Sequence, residues 1–361
     1  MSCFPLPPGS TIGILGGGQL GRMLALAAAR LGFDTAVLTQ DDRSPAARVA
    51  TRTVVGAYDD PAALGVLAEV SSVITFEFEN VPARTVERLA ALGAEVAPGA
   101  KALAIGQDRV EEKTFLNSIG IPTVAFAAVE GPEDLTRAVD RLGAPVLLKT
   151  RRGGYDGKGH TWVTSASEAE AGLQRLGGPP AIAEAAAHFR REVAVIAARG
   201  RDGGIAVYPL TESYHDQGVL RRARAPAAAT ARVEEEAERI AATLMRALDY
   251  VGVIAVELFE FDDGRLLVNE FAPRVHNTGH WTLDGCEVDQ FEQHVRAIAG
   301  WPLGPTAALA RVEMTNLLGD EAAAWSHFAA EPQTRLWLYG KTEARPRRKM
   351  GHVNRLSPLG P

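Results

Sequence analysis

The chain has 361 residues, 46% hydrophobic and 23% charged, a composition of ordinary globular proteins and a length that suits two or three domains. Its net charge of −6 gives no general electrostatic case for nucleic acid or an anionic membrane, so any functional basic residues must form local clusters. Two cysteines, Cys3 and Cys286, leave no zinc set or disulfide framework, and no apolar run reaches a membrane span of roughly 20 residues. The first ten residues lack both a basic region and an apolar core, so a cytoplasmic protein without a leader is expected.

In chain order, Thr11–Leu15 reads as a short buried strand that Gly16-Gly17-Gly18 turns into a helix from about Gln19 to Leu31. Strands follow at Thr35–Leu38 and Val73–Phe76, with a helix around Pro82–Leu92. This alternation predicts a parallel sheet with right-handed crossovers. Gly16, Gly18 and Gly21 satisfy G-x-G-x-x-G between strand and helix, with Asp41 and Asp42 after the second strand, where an acid could hold a ribose. The same glycines also permit close strand–helix packing, so the pattern predicts only an anion near the helix N-terminus. A helix from Gln107 opens a different organisation. Strands are expected at Val146–Lys149, His160–Val163, Ala181–Ala183 and Glu192–Ala198, then a long amphipathic helix at about Arg232–Leu248.

Residues Arg151–His160 (R-R-G-G-Y-D-G-K-G-H) place four glycines among cations directly after the strand ending in Lys149. Glycine allows close backbone approach, and N–H groups with Lys and Arg suit a polyphosphate. A mobile surface loop is the bland alternative, but Tyr155 and Asp156 have no use in a linker.

Further on, Val256–Phe261 and Arg265–Phe271 flank Asp262-Asp263-Gly264. A two-residue turn at Asp263-Gly264 predicts a hairpin with Glu257 directly opposite Glu270, and places Phe259, Phe261, Leu266 and Val268 on the same face. Opposed carboxylates on such a face, ~4.5–5.5 Å apart at Cβ, repel unless something neutralises them. A shared proton or a cation would serve. A hard divalent ion completed by phosphate oxygens fits best.

Together these features resemble an ATP-grasp ligase: a strand ending in Lys149 before a glycine-rich loop, a central Glu192 segment, and paired glutamates on adjacent strands. The likeness tightens to the 5-(carboxyamino)imidazole ribonucleotide synthases of purine biosynthesis. It rests on Gly16–Met23 (G-G-G-Q-L-G-R-M), Thr75–Val81 (T-F-E-F-E-N-V), Arg151–His160, Asn269–His280 and Tyr339–His352, in order along nearly the whole chain.

The resemblance implies an α/β protein with a Rossmann-like N-terminal domain (1–108), an ATP-grasp domain (109–300, glycine-rich lid about 120–183) and a C-terminal substrate-binding segment (301–361). It implies ATP and Mg²⁺ as cofactors, and aminoimidazole ribonucleotide and bicarbonate as substrates. A homodimer and coupling to the following mutase of the pathway are also implied. On matching positions, Arg109 and Lys149 would contact ATP phosphates beneath the loop of Gly154, Tyr155, Asp156, Gly157, Lys158, Gly159 and His160. Glu184 opens the adenine segment, whose family form Glu-x-Phe-Val reads Glu184-Ala185-Ala186-Ala187 here, so packing on the adenine face is thinner. Glu192 would bind ribose, with His215 and Asn269 also at the nucleotide site. Glu257 and Glu270 become magnesium ligands. Ala272 stands where many relatives carry Asn, leaving phosphate, water or Asn277 to complete the shell.

Gln19, Glu77, Arg274, His276, Asn277, Lys341 and Arg348 would face the ribonucleotide and bicarbonate, and Tyr155, Asp156, Lys158, Arg274, His276 and Asn277 the chemistry. The basic run from Arg345 reads otherwise as a solvated tail. Another ATP-grasp ligase or transformylase is the near alternative. A nicotinamide-dependent oxidoreductase or a non-catalytic nucleotide-binding module are the distant ones.

Overall fold

The computed structural model describes residues 4–154 and 159–359. Its N-terminal layer is a parallel sheet of β1 (Thr11–Leu15), β2 (Asp34–Thr39), β3 (Arg52–Val55) and β4 (Val73–Phe76), in the order β3-β2-β1-β4. The helices α1 (Gln19–Arg30), α2 (Pro61–Val70), α3 (Ala83–Ala91) and α4 (Ala100–Gly106) belong to this part of the chain. Its central strands β1 and β2 are buried along nearly their whole length, as expected of strands covered on both faces. Helix α5 (Arg109–Ser118) then leads away, capped by the Asp108 carboxylate, which accepts from the N–H groups of Val110 and Glu111.

A small antiparallel sheet follows, formed by β5 (Phe126–Val129), β6 (Val146–Thr150), β7 (His160–Val163) and β8 (Ala181–Ala185), ordered β5-β8-β6-β7. Helices α6 (Pro132–Leu142) and α7 (Ala169–Leu176) cover it, burying Leu135, Val139, Leu148 and Leu173 in a core of its own.

The remainder builds one nine-stranded sheet from β9 (Arg191–Arg199), β10 (Ile205–Val207), β11 (Thr211–Asp216), β12 (Val219–Ala225), β13 (Gly252–Glu260), β14 (Leu266–Ala272), β15 (Arg311–Leu318), β16 (Thr334–Leu338) and β17 (Lys349–Ser357). Its helices are α8 (Ala231–Ala247), α9 (Thr282–Gly285), α10 (Gln290–Ala299) and α11 (Trp325–Ala330). Helix α8 lays Val233, Ala237, Ile240, Ala241 and Leu244 against Ile254, Val256 and Leu258 of β13. Burying each of the valine, isoleucine and leucine side chains contributes about 1.5–3 kcal/mol. The C-terminal strands β15, β17 and β16 extend the same sheet beyond β12.

The N-terminal layer is welded to this sheet. Leu20, Met23 and Leu24 of α1 share a core with Phe291, Val295 and Ile298 of α10, and Arg30 pairs with Asp289 and Glu292. Buried His294 accepts the Val253 N–H at Nδ1 (3.0 Å) and hydrogen-bonds Thr75 Oγ1 through Nε2 (2.8 Å). The strand that leads into Glu77 is thereby fixed to the strand that carries Glu257.

The β13–β14 hairpin corrects the sequence reading in its turn and in its faces. Phe261 and Arg265 are the closing pair, so Asp262-Asp263-Gly264 is a three-residue loop with Gly264 at φ +77. That loop by itself would offset the glutamates by one residue. A bulge at Asn269 takes up the offset, because the register steps from Leu258↔Val268 to Glu257↔Glu270. Leu266 and Val268 accordingly lie with Leu258 on the opposite face, in the core beneath α8, while Phe259 shares the carboxylate face.

Candidate active site

The three sheets meet around a cleft of about 1060 Å³. Its lining gathers Gln19 and Glu77 from the N-terminal layer with Arg109, Lys149, Gly154, Gly159, His160, Glu184, Ala185 and Ala187. Glu192, His215, Glu257, Asn269, Glu270, Arg274, His276, Asn277, Lys341 and Arg348 complete the expected set. Tyr155, Asp156, Gly157 and Lys158 lie outside the described residues. Ala186, just past the end of β8 at Ala185, is not among the lining residues, whereas Ala185 and Ala187 on either side of it are. The Phe-to-Ala departure at 186 therefore falls away from the cleft.

The first glycine motif encloses an anion, and the anion belongs to the chain. Glu77, just beyond β4, accepts from the N–H groups of Gly18 (2.6 Å) and Gly21 (3.0 Å) at the N-terminus of α1. A Cβ on Gly16 would stand 2.3 Å from Glu77 Cγ, and Gly16 sits at φ +119. Burial pushes the Glu77 carboxyl above its usual range, and the two N–H donors, Arg274 and Lys341 offset only part of that rise. Asp41 and Asp42 are exposed and lie outside the cleft lining.

Glu257 and Glu270 face each other across the hairpin. Burial raises the Glu257 carboxyl to about 7; His215 opposes this, and the neighbouring Glu270 and Glu192 add to it. Glu270 is 37% accessible from the cleft and pairs with Arg109, which outweighs burial and holds it at about 2. Such a pair fits a hard divalent ion. It offers oxygen donors from adjacent strands, and a bound cation would offset the burial and neighbouring charge that raise Glu257.

Lys149 Nζ lies 2.7 Å from Glu184 Oε2, and buried Lys113 lies 3.2 Å from Glu184 Oε1. Burial pushes the Glu184 carboxyl up, but these two cations more than offset it. Glu192 hydrogen-bonds His215 Nδ1; burial lowers the imidazole and the two glutamates Glu192 and Glu257 raise it above its usual range.

On the other side of the carboxylates, Arg274 pairs with Glu79 and His276 Nε2 lies 3.6 Å from Glu257. Burial, with Arg274 and Lys349 nearby, keeps His276 neutral, well below the usual range. Asn277 exchanges both amide hydrogen bonds with buried Asn316 (3.1 and 2.7 Å), an arrangement that fixes its side chain. The basic run is no solvated tail: Lys341, Arg345, Arg347, Arg348 and Lys349 all line the cleft. Lys341 Nζ donates to Lys349 O at 2.6 Å, and Gly319 N–H to Arg348 O at 2.9 Å, so the turn is tied to the sheet. His352 lies buried behind it against Tyr339.

Sequence reasoning missed Glu79, Asp108, Glu112, Lys113 and Phe189. Phe189 stacks on Phe259 (centroids 4.4 Å apart, 12° between planes) in the cleft between Glu184 and Glu192. Asp108 takes the guanidinium groups of Arg151 and Arg152, anchoring the root of the glycine-rich loop. The helical spacing of Arg109, Glu112 and Lys113 was a usable signal, since residues three and four apart share a face.

Comparison with known proteins agrees with this geometry. The ribonucleotide synthetase preATP-grasp domain matches residues 10–107, the ATP-grasp domain 114–291, and the phosphoribosylaminoimidazole carboxylase C-terminal domain 313–358. The chain is 50% identical to the N5-carboxyaminoimidazole ribonucleotide synthase of Brucella melitensis biotype 1, covering 98% of both chains. The chain belongs to the N5-carboxyaminoimidazole ribonucleotide synthase family. It is 40% identical to the Bacillus subtilis member over 96% of this chain and 91% of that one. An ADP complex of an N5-carboxyaminoimidazole ribonucleotide synthetase superposes with a TM-score of 0.95 at 40% identity, covering 99% and 95% of the two chains. An Aspergillus clavatus member bound to ADP and 5-aminoimidazole ribonucleotide gives 0.91 at 31%, covering 97% and 94%. The α/β ATP-grasp architecture expected from the resemblance is thus the fold of this chain.

Proposed function

We propose that the chain carboxylates the amine of 5-aminoimidazole ribonucleotide with bicarbonate at the expense of ATP. The products are 5-(carboxyamino)imidazole ribonucleotide, ADP and phosphate, a step of purine biosynthesis. The observation that carries this reading is one cleft in which a nucleotide-type half (Arg109, Lys149, Glu192, Glu257, Glu270) adjoins a second cationic half (Arg274, Lys341, Arg348).

Bicarbonate is a poor electrophile because the oxygen that must depart is a bad leaving group. A bicarbonate oxygen attacks the γ-phosphorus and the bond to ADP breaks. The carboxyphosphate so formed then releases carbon dioxide and phosphate. The substrate amine captures the carbon dioxide, a C–N bond forms, and the amine gives up a proton. Arg109 and Lys149 would steady charge on the transferred group, which is chiefly positioning and electrostatics. Glu257 and Glu270 would hold Mg²⁺, which supplies charge neutralisation at the phosphates when bound. Neutral His276 and the Arg274–Glu79 pair would flank the reacting carbon, and Lys341 and Arg348 the ribonucleotide phosphate. Holding the reactants in one site supplies up to ~7–11 kcal/mol of the advantage.

Lining residues Phe189, Phe259 and Ala187 support an adenine position between Glu184 and Glu192. Homodimerisation, a cytoplasmic location and coupling to the mutase that follows belong to the same proposal and rest on the family likeness. The test is ADP release with bicarbonate, measured with and without 5-aminoimidazole ribonucleotide. Strict dependence on the ribonucleotide is expected. Release supported instead by glycinamide ribonucleotide and formate would refute it.

A further inference from the structure

Helix α5 grips the strand that carries Glu270. Arg109, Glu112 and Lys113 stand at i, i+3 and i+4, on one helix face. They engage three consecutive residues of β14. Lys113 Nζ donates to Asn269 O at 2.8 Å, Arg109 pairs with the Glu270 carboxylate, and Phe271 N–H donates to Glu112 Oε1 at 2.6 Å.

Two features of β14 make such a grip necessary. It is the edge strand of the nine-stranded sheet, and on its outer edge the Pro122–Thr123 segment bridges only Val268, leaving no strand among the described residues beside those that follow. It also carries the bulge at Asn269 that brings Glu270 opposite Glu257. Backbone groups buried without partners are costly, and here two side chains supply the partners on either side of Glu270. Glu112 and Lys113 are only 2% and 0% accessible, so both are committed to this contact. Lys113 continues through Glu184 to Lys149, joining the bulge to the small sheet across the cleft.

We propose that Glu112 and Lys113 are positioning residues for the divalent-ion site: they hold the backbone on both sides of Glu270 and thereby set the bulge that brings Glu270 opposite Glu257. This rests on the reading of Glu257 and Glu270 as the ion's ligands. Their role would be to place the backbone that carries Glu270, not to ligate the ion. Their effect resembles that of the outer partners of other metal ligands, whose loss weakens metal binding about 10–100-fold.

The test uses the full chain with a non-hydrolysable ATP analogue and follows free Mn²⁺ by electron paramagnetic resonance. Glu112→Ala and Lys113→Met are expected to weaken Mn²⁺ binding at least about 10-fold. Glu112→Gln keeps an oxygen that accepts from Phe271 N–H and is expected to bind within about 2-fold of the parent. In steady-state assays the KM for the ribonucleotide stays unchanged in all three. Should Glu112→Ala fail to fold, Glu112→Asp, too short to reach Phe271, carries the same expectation. Parent-like Mn²⁺ binding by a folded Glu112→Ala or Glu112→Asp variant overturns the proposal. Equal losses in Glu112→Gln and Glu112→Ala also overturn it, since the hydrogen bond would then not be the cause. Parent-like binding by Glu270→Gln overturns the ion reading itself, and is distinguishable because the Glu112 variants play no part in it.

Discussion

Gly18 and Gly99 share a backbone geometry and differ in what surrounds them, which makes a sharp test of the glycine motif. Both are extended helix N-caps, at φ −77, ψ −167 and φ −72, ψ 164. Alanine is allowed at either, so its intrinsic capping cost, about 0.5–1 kcal/mol relative to glycine, is common to both. At Gly99 an added Cβ meets nothing within 4 Å. At Gly18 it would stand 2.5 Å from Glu77 Oε1 and 2.9 Å from Oε2, closer than real contacts allow.

Glu77 is only 6% accessible and must shift, losing the N–H bond from Gly18 and stretching the one from Gly21. A hydrogen bond to a charged group contributes about 1.5–3 kcal/mol, so losing one and stretching the other costs about 2–4 kcal/mol beyond the capping difference. Urea unfolding at pH 7, followed by tryptophan fluorescence, should show Gly18→Ala less stable than Gly99→Ala by that margin. In a Glu77→Ala background the margin should vanish, because the clash partner is gone. Gly18→Ala should also raise the KM for the ribonucleotide, since Glu77 faces the cleft beside Gln19. Equal stability of the two single variants, or an undiminished cost in the Glu77→Ala background, would refute the view that the motif is built around Glu77.

Two further expectations follow from the packing. Burial holds His294 at about 3 against an ordinary 6.5, so the folded protein keeps it neutral while the unfolded chain takes up a proton below pH 6.5. The stability it contributes is complete above that pH and is lost as pH falls toward 3, about 2 kcal/mol of it by pH 5. His294→Gln should flatten the difference in urea midpoint between pH 7 and pH 5, and an unchanged slope would exclude this histidine as the cause. Phe189→Ala removes an aromatic face from the cleft wall, and an adenine stacked on that face would contribute about 0.5–1.5 kcal/mol, or ~2–10-fold in affinity. Steady-state kinetics should show that rise in the KM for ATP with the ribonucleotide KM unmoved, and the reverse pattern would displace adenine from this wall.

Much of this protein is legible in the one-dimensional chain, because local rules act over short distances. The parallel strands Thr11–Leu15 and Val73–Phe76, the helix after the glycines and the long helix before β13 follow from apolar period and glycine placement. Motifs in order supplied the family and many of the charged residues that line the cleft. The N-terminal glycine pattern was legible as an anion site, but its anion, Glu77, lies 59 residues from Gly18. No local rule names a partner at that distance.

The glutamate pair shows most clearly where local reasoning ends. Strand alternation and Asp-Gly turn chemistry put Glu257 opposite Glu270, yet the loop is one residue longer than that reasoning takes it to be, and the bulge at Asn269 restores the pairing. A bulge is decided by what can satisfy the displaced backbone. Here that is a helix more than 150 residues earlier, through Lys113 and Glu112. The chain by itself determined which residue types the site contains and which elements carry them, since these depend on period, turns and charge. Only the tertiary structure decided which carboxylate accepts from which backbone, which face Leu266 and Val268 occupy, and which way Glu270 points. Those outcomes depend on burying every polar group with a partner, and the partners come from distant segments.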